Sequence, residues 1–212
     1  TQSEIVVRLI RRLEHLAFRL AAHVLYVYPE EESRISDRAT ASSKTDLGVE
    51  YDRFADPDPA VVKRACEQFN EVDKKLVVYV GGLEPMYEIE SLLAAAENFE
   101  DCMLLVIGTG SLEPIVERAA ADSDNIRFLG QIPHEEVPGY LHCADVGVSL
   151  VDDPYTLKIL EYGAAGLNVV QLAGRAESRF GGLVEYCSAE PSAIREAIDR
   201  ASGHNKRGIH HY

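Results

Sequence analysis

The nine residues from Asp153 to Glu161, in the order Asp-Pro-Tyr-Thr-Leu-Lys-Ile-Leu-Glu, combine two carboxylates, one lysine and a helix start. An apolar run at residues 146–150 precedes them and a helical pattern at 157–165 follows, so the segment reads as a strand-to-helix loop. A phosphate docking at that helix start would meet the free backbone N–H groups of Thr156, Leu157 and Lys158 and the positive end of the helix dipole. Lys158 adds a mobile positive charge within reach. Glu161 lies one turn further on the same face, where its carboxylate can accept two hydrogen bonds from vicinal ribose hydroxyls. The bland alternative is an ordinary amphipathic helix on which Lys158 and Glu161 form a solvated i,i+3 pair, because isolated motifs often match by chance.

Three further loops end apolar runs in the same way. Gly81-Gly82-Leu83-Glu84-Pro85 follows the run 76–80, Gly108-Thr109-Gly110-Ser111 follows 103–107, and Gly130-Gln131-Ile132-Pro133 follows 126–129. Ligands of open α/β sheets bind at the carboxyl ends of the strands, which makes all four loops candidates. Gly108-Thr109-Gly110 lacks the third glycine of a dinucleotide fingerprint, and no acidic strand end follows at the expected distance, so a dehydrogenase is set aside.

The elements that must position these loops alternate regularly. Short apolar runs at 76–80, 103–107, 126–129, 146–150 and 168–172 are separated by helical patterns at 60–70, 89–98, 112–121, 135–143, 157–165 and 191–201. Runs of four to six apolar residues bounded by Gly, Pro or Asp mark strands buried on both faces. Strand-helix repeats of this spacing predict an α/β fold with a doubly wound parallel sheet. Ahead of it stand a helical pattern at 4–22 with Arg8, Arg11, Arg12 and Arg19, a strand-like run at 23–28 and polar helical turns at 30–37. Residues 39–59, rich in Ser, Thr, Asp and Pro, read as a linker. The polar tail from Gly203, with His204, His210 and His211, reads as a frayed end.

Composition narrows the partners. The 212 residues carry 35 Asp and Glu against 21 Lys and Arg, a formal net charge of −14, which repels phosphate polymers and excludes a general nucleic-acid binder. Cys66, Cys102, Cys143 and Cys187 form no CxxC pair and read as reduced packing residues of a cytoplasmic protein, not as a disulfide frame or metal site. No apolar run approaches the ~20 residues of a membrane span, and Thr1 opens no cleavable signal pattern. His134 reads as a cap or surface residue and His142 as packed.

The stretch DPYTLKILEYGAAGLNVV, residues 153–170, resembles the nucleotide-sugar motif of the group 1 retaining glycosyltransferases of the GT-B fold. In that family two acidic residues with seven residues between them end in a Glu, followed by a helix and an AxGxPVV strand; here they are Asp153 and Glu161, with Asn168 at the usual Pro. VVYVGGLEP, LLVIGTGSLEP, IRFLGQIPHEEVPGYLHCADVGVSL and LGVEYDRF resemble further landmarks in the family's order. The resemblance runs from about residue 14 to 201. It implies a Rossmann-like donor-binding domain over 55–212, preceded over 1–54 by a remnant of the N-terminal GT-B domain and a linker.

The same resemblance implies a hexosyltransferase with a nucleotide-diphosphate-sugar donor and retention of configuration. Glu161 would hold the ribose, the Thr156, Leu157 and Lys158 segment the diphosphate, and Gln131 and Ile132 the base through backbone groups. Asp153 would sit at the donor sugar as the catalytic carboxylate, one methylene shorter than the family's usual Glu, and ~1 Å matters there. No metal and no cofactor are implied. The family's first loop carries an Arg and then a Lys that neutralise the diphosphate; those places are Gly82 and Tyr87 here. Removing both cations weakens the stabilisation of a departing diphosphate, so a non-catalytic nucleotide-sugar-binding scaffold acting with a partner chain stands as the alternative.

A lipid-linked or glycan acceptor, a partner chain or dimer through residues 4–28, and a peripheral place on the inner membrane face follow from the same comparison, with the apolar face of residues 4–22 covering its own core as the default. The run 23–28, without partner strands, would present unpaired backbone groups. The acid excess and the division of the basic residues into 15 Arg and 6 Lys suit a high-salt cytoplasm as well as an ordinary acidic enzyme. If high salt selected this surface, the chain melts at a higher temperature in molar KCl than in low salt. Greater stability in low salt overturns that origin.

Overall fold

A computed structural model describes residues 2–203, and the tail carrying His204, His210 and His211 lies outside the described residues. The chain divides into two compact units, Thr1–Gly48 and Val49–Tyr212. The boundary expected at residue 54 falls six residues later, inside a short helix of the second unit.

The first unit opens with α1 (Gln2–Leu20), uninterrupted by Gly or Pro, with Glu4 in its first turn and Arg19 in its last, each suited to the helix dipole. It continues through β1 (Val24–Tyr26), α2 (Glu32–Ser36) and β2 (Ser42–Lys44). Arg34 of α2 donates to Glu14 of α1 at 2.7 Å. The run at 23–28 is not left unpaired, because β1 and β2 form a parallel pair in the register Val24↔Ser42. The expected linker therefore contains a strand; Ser-Ser-Lys has no strand pattern, and only its partner's hydrogen bonds make it one. The apolar face of α1 does not cover a core: Ile5, Leu9, Leu13, Leu16 and Leu20 are all more than half exposed.

The second unit alternates as expected and adds three elements. It runs α3 (Tyr51–Ala55), α4 (Pro59–Glu67), β3 (Lys75–Val80), α5 (Ile89–Ala96), β4 (Cys102–Ile107), α6 (Glu113–Asp122), β5 (Ile126–Gly130) and α7 (Val137–Cys143). Then follow β6 (Val146–Ser149), α8 (Leu157–Ala164), β7 (Asn168–Leu172), α9 (Glu177–Phe180), β8 (Glu185–Cys187) and α10 (Pro191–Gly203). The helix α3, the other element inside the expected linker, buries only Phe54, too little for a periodic signal. Neither α9 nor β8 is long enough to show a period.

The six strands form one parallel sheet in the order β5-β4-β3-β6-β7-β8. Counted from β3, this is the doubly wound order whose direction reverses between the first and fourth strands, and the crevice at that reversal is where such sheets bind ligands. Alternate residues feed two cores. Val77, Tyr79, Leu104, Val106, Val146 and Val148 meet α5 and α10 on one face. Leu76, Val78, Leu105 and Val169 meet α7, α8 and Phe180 on the other. Tyr162 of α8 is fully buried there, and a methyl on Gly147 of β6 would lie 2.5 Å from its ring. Its hydroxyl accepts from the Val80 amide at 2.9 Å, tying α8 to the end of β3.

Cys66 and Cys143 are joined by a disulfide that staples α4 to α7, with Cα atoms 5.3 Å apart. This corrects the expectation of four reduced cysteines; Cys102 and Cys187 alone are free, and both are buried. Spacing hid the pair, since the two cysteines lie 77 residues apart and meet only because α4 and α7 pack together. In the chain-entropy view a crosslink over so long a loop contributes about 2–4 kcal/mol. Denaturant unfolding with and without reductant should show that loss, and a Cys66→Ser/Cys143→Ser chain should not respond to reductant. Equal stability in both conditions would show that the crosslink contributes nothing.

Candidate functional site at the sheet's switch point

The loops after β3 and β6 flank the reversal in strand order, and two glycines decide how close they come. Gly81 leaves β3 at φ +152, and a methyl built on it would lie 2.4 Å from Cε and 2.9 Å from Nζ of Lys158. Only a bare Cα lets the lysine stem of α8 lie against the β3 loop. Gly108 leaves β4 at φ +146, where a methyl would fall 1.8 Å from the Gly81 carbonyl oxygen. Leu83 N donates to Thr109 O at 3.0 Å and Leu112 N to Leu83 O at 2.9 Å, so the first two loops are zipped backbone to backbone.

Lys158 ends between two aromatic rings, its Nζ 4.2 Å from the ring centre of Tyr87 and 5.5 Å from that of Tyr79. Tyr79 in turn donates its hydroxyl to Gly82 O at 2.6 Å, which fixes the loop. The half-buried ammonium is pulled below the usual lysine range by burial, with Glu161 acting against it. Burial pushes the Glu161 carboxyl above the usual range, opposed by His134, Lys158 and Arg53. Lys158 and Glu161 do not form the solvated pair that spacing allows. Among the described residues neither makes an ion pair or a side-chain hydrogen bond, and the ammonium turns to the rings instead.

The two candidate helix starts differ. At α6, Ser111 N donates to Glu84 Oε1 at 3.0 Å and the Ser111 hydroxyl also bonds that carboxylate, while Thr109 donates to Glu113 at 2.6 Å. The chain's own acids thus take that positive end, and the Ser111 bonds hold the Glu84 carboxyl below its ordinary range. At α8 the N-cap Thr156 makes no side-chain cap bond, and no acid stands in the first turn. Just ahead of it, Tyr155 N donates to Asp153 Oδ1 at 2.9 Å and Thr156 N to Asp153 O at 3.5 Å.

The remaining expected residues lie around this pair. Asp153 closes a small turn, its Oδ1 accepting from Tyr155 N at 2.9 Å. Gly82 sits beside the Tyr87 ring, which a methyl there would approach to 3.3 Å. Leu157 is exposed. Gln131 is exposed and Ile132 half-buried, and among the described residues neither makes a side-chain hydrogen bond to α8; from their loop it is His134 that acts on Glu161. Sequence reasoning missed Tyr79, Gly81, Arg53 and the part His134 plays. The glycine at a strand end was the one available signal. His142 is packed, its Nε2–H donating to Phe54 O at 2.7 Å. Among the described residues no group of three His, Cys, Asp or Glu is placed to hold a metal ion.

Residues 74–202, more than half of the chain, match the model of the family described as Glycosyl transferases group 1. The chain belongs to the group 1 glycosyltransferases. Solved structures agree on the fold. Anabaena HepE, solved with UDP and glucose, superimposes with a TM-score of 0.68 at 17% identity, over 87% of this chain and 54% of its own. Sucrose-phosphate synthase of Thermosynechococcus elongatus gives 0.67 at 24% identity, over 89% and 51%. The C-terminal domain of LpcC, a group 1 family protein of Francisella tularensis, gives 0.57 at 19%, over 74% and 89%. The chain spans about half the length of the first two. No curated protein matches it.

In this group 1 glycosyltransferase the end of β3 and the loop after it bring two aromatic rings to the crevice. Tyr87 supports an ammonium that arrives from α8. A Gly81→Ala chain should therefore displace Lys158, lose ~1–3 kcal/mol of stability through overpacking, and bind a nucleoside diphosphate about tenfold more weakly. Denaturant unfolding and calorimetry measure the two effects. Unchanged affinity in the destabilised variant would remove Lys158 from the site.

Proposed function

We propose that this chain is the donor-binding half of a retaining glycosyltransferase that takes a nucleoside-diphosphate sugar at the β3–β6 crevice. The observation that carries this reading is the open start of α8 beside a half-buried ammonium and, one turn on, a half-buried carboxylate. The α8 amides and Lys158 receive the diphosphate, Glu161 the ribose hydroxyls, and Gln131 and Ile132 the base. Asp153 faces the sugar, where a carboxylate stabilises positive charge that develops at the anomeric carbon as the diphosphate departs. HepE binds UDP and UDP-glucose, which supports a nucleotide sugar of that class. A lipid-linked or glycan acceptor would come to the other face of the sugar. The exposed apolar stripe of α1 with Arg8, Arg11, Arg12 and Arg19 supports a partner chain or an anionic membrane surface at residues 4–28.

A second reading, a nucleotide-sugar-binding scaffold, is favoured by one observation: neither Gly82 nor Tyr87 supplies the loop cations. Titration with UDP, GDP, ADP and their sugar conjugates separates the readings. One nucleotide should bind, and Glu161→Ala should weaken it on the order of a hundredfold, as two hydrogen bonds to a charged group are lost. Binding without sugar transfer in the presence of any acceptor or partner would support the scaffold; no binding at all overturns both.

The pH profile follows from the two shifts. The Lys158 ammonium loses its proton at a lower pH than an exposed lysine, so affinity falls on the alkaline side earlier than for an exposed site. The Glu161 carboxylate gains a proton at a higher pH than an exposed glutamate, so the acid limb also moves inward. A sugar conjugate, whose diphosphate diester does not titrate in this range, is the ligand to use. The acid limb should vanish in Glu161→Ala and the alkaline limb in Lys158→Ala.

A further inference from the structure

Beneath the Asp153 loop, β7 buries a polar side chain where its neighbours are apolar. Val169, Val170, Gln171 and Leu172 succeed one another, and Gln171 is fully buried. Its lateral partner in the ladder is Ser149 of β6, also fully buried, and their side chains leave the same face of the sheet. The Gln171 Oε1 and Ser149 Oγ atoms have no hydrogen-bond partner among the described residues. A buried amide kept at such a cost points to a task for its other atom.

That atom, Nε2, donates to the Val151 carbonyl. The amide orientation is chemically forced, because a carbonyl oxygen only accepts. The same Val151 oxygen accepts from Asp153 N at 2.9 Å, which closes the turn 151–153. Asp153 Oδ1 then accepts from Tyr155 N, and Arg179 donates to Pro154 O at 3.0 Å. On the outer side Asp152 Oδ1 accepts from Arg175 N at 2.7 Å, and Arg175 donates to Asp152 O at 2.6 Å. Asp152 is thus held from outside and Val151 from the core. The side chain of the residue between that anchor and the α8 start has its direction set from below.

We propose that Gln171 is a positioning residue: by donating to the Val151 carbonyl, its side chain fixes the turn that presents Asp153 to the donor sugar. This rests on the reading of Asp153 as the carboxylate at that sugar. Gln171 touches no ligand itself and acts through one carbonyl. An apolar isostere at 171 would keep the packing and free the turn. A glutamic acid would hold the carbonyl only while protonated, since only the acid form carries a hydrogen to donate.

The test uses Gln171→Met and Gln171→Glu chains, with amide hydrogen exchange in the free protein and calorimetric titration with UDP and UDP-glucose. In Gln171→Met, the Asp153 amide should exchange at least tenfold faster. UDP affinity should stay within twofold of wild type, while the ratio of the UDP-glucose to the UDP dissociation constant shifts about tenfold. In Gln171→Glu the wild-type ratio should return at low pH and fade as pH rises, which a merely structural role does not produce. Unchanged Asp153 exchange and an unchanged ratio in Gln171→Met overturn the proposal, as does equal weakening of both ligands. A wild-type chain that binds neither ligand instead overturns the donor-site reading, and the sugar-presenting role of Gln171 with it, whatever the exchange rates show.

Discussion

At the ends of β3 and β4 two backbones approach until no side chain fits between them, and the arrangement above the sheet depends on that approach. A methyl on residue 108 would lie 1.8 Å from the Gly81 oxygen, and one on residue 110 would lie 2.5 Å from the Leu83 oxygen. With glycine at both positions, the Leu83–Thr109 and Leu112–Leu83 bonds zip the loops together. This brings Glu84 to the start of α6 and turns the bare Cα of Gly81 toward α8. Tyr162, reaching from α8 to the Val80 amide, holds the same distance from the other side. Lys158 then has one narrow course, along Gly81 and between two rings.

That course changes how the crevice is charged. The loop after β3 brings a glycine and a tyrosine, and positive charge comes from α8. An ammonium against aromatic faces is partly compensated for lost water by the ring quadrupoles, worth about 0.5–2 kcal/mol, and it needs no carboxylate to stay in place. It therefore remains available to an incoming anion, unlike the α6 start, whose donors are engaged by Glu84. The Lys158 ammonium and a helix start with neither a side-chain cap bond nor a first-turn acid stand together on α8.

Most of this architecture was legible in the sequence, and the exceptions share a physical cause. The five strands from β3 to β7 are buried on both faces and announce themselves as apolar runs, and the strand-end glycines mark the loops. What stayed hidden is short or distant. Phe54 alone anchors α3, β2 exists through its partner's hydrogen bonds, and β8 shows three residues of pattern. The Cys66–Cys143 crosslink depends on two helices meeting across 77 residues. Of the proposed site, Asp153, Lys158 and Glu161 could be nominated from their motif. The cage of Tyr79 and Tyr87 and the anchor of Gln171 could not, because each is a contact between strands or loops far apart in the chain.

Lys158 and Glu161 stand at i,i+3 on one helix, oppositely charged and both half-buried, yet they do not pair. Pairing would satisfy both and relieve the burial that lowers one pKa and raises the other. The rings of Tyr79 and Tyr87 draw the ammonium toward the β3 loop, while the charges of His134 and Arg53 also act on the carboxylate. Each charge is thus partly desolvated and left without its natural partner, an arrangement that costs stability and that a folded chain keeps where function requires it. A ligand that satisfies both must present negative charge to the Tyr79–Tyr87 side and hydroxyl donors one helical turn away. A ribose carrying a diphosphate has that order of groups, and neither a bare phosphate nor a free sugar does.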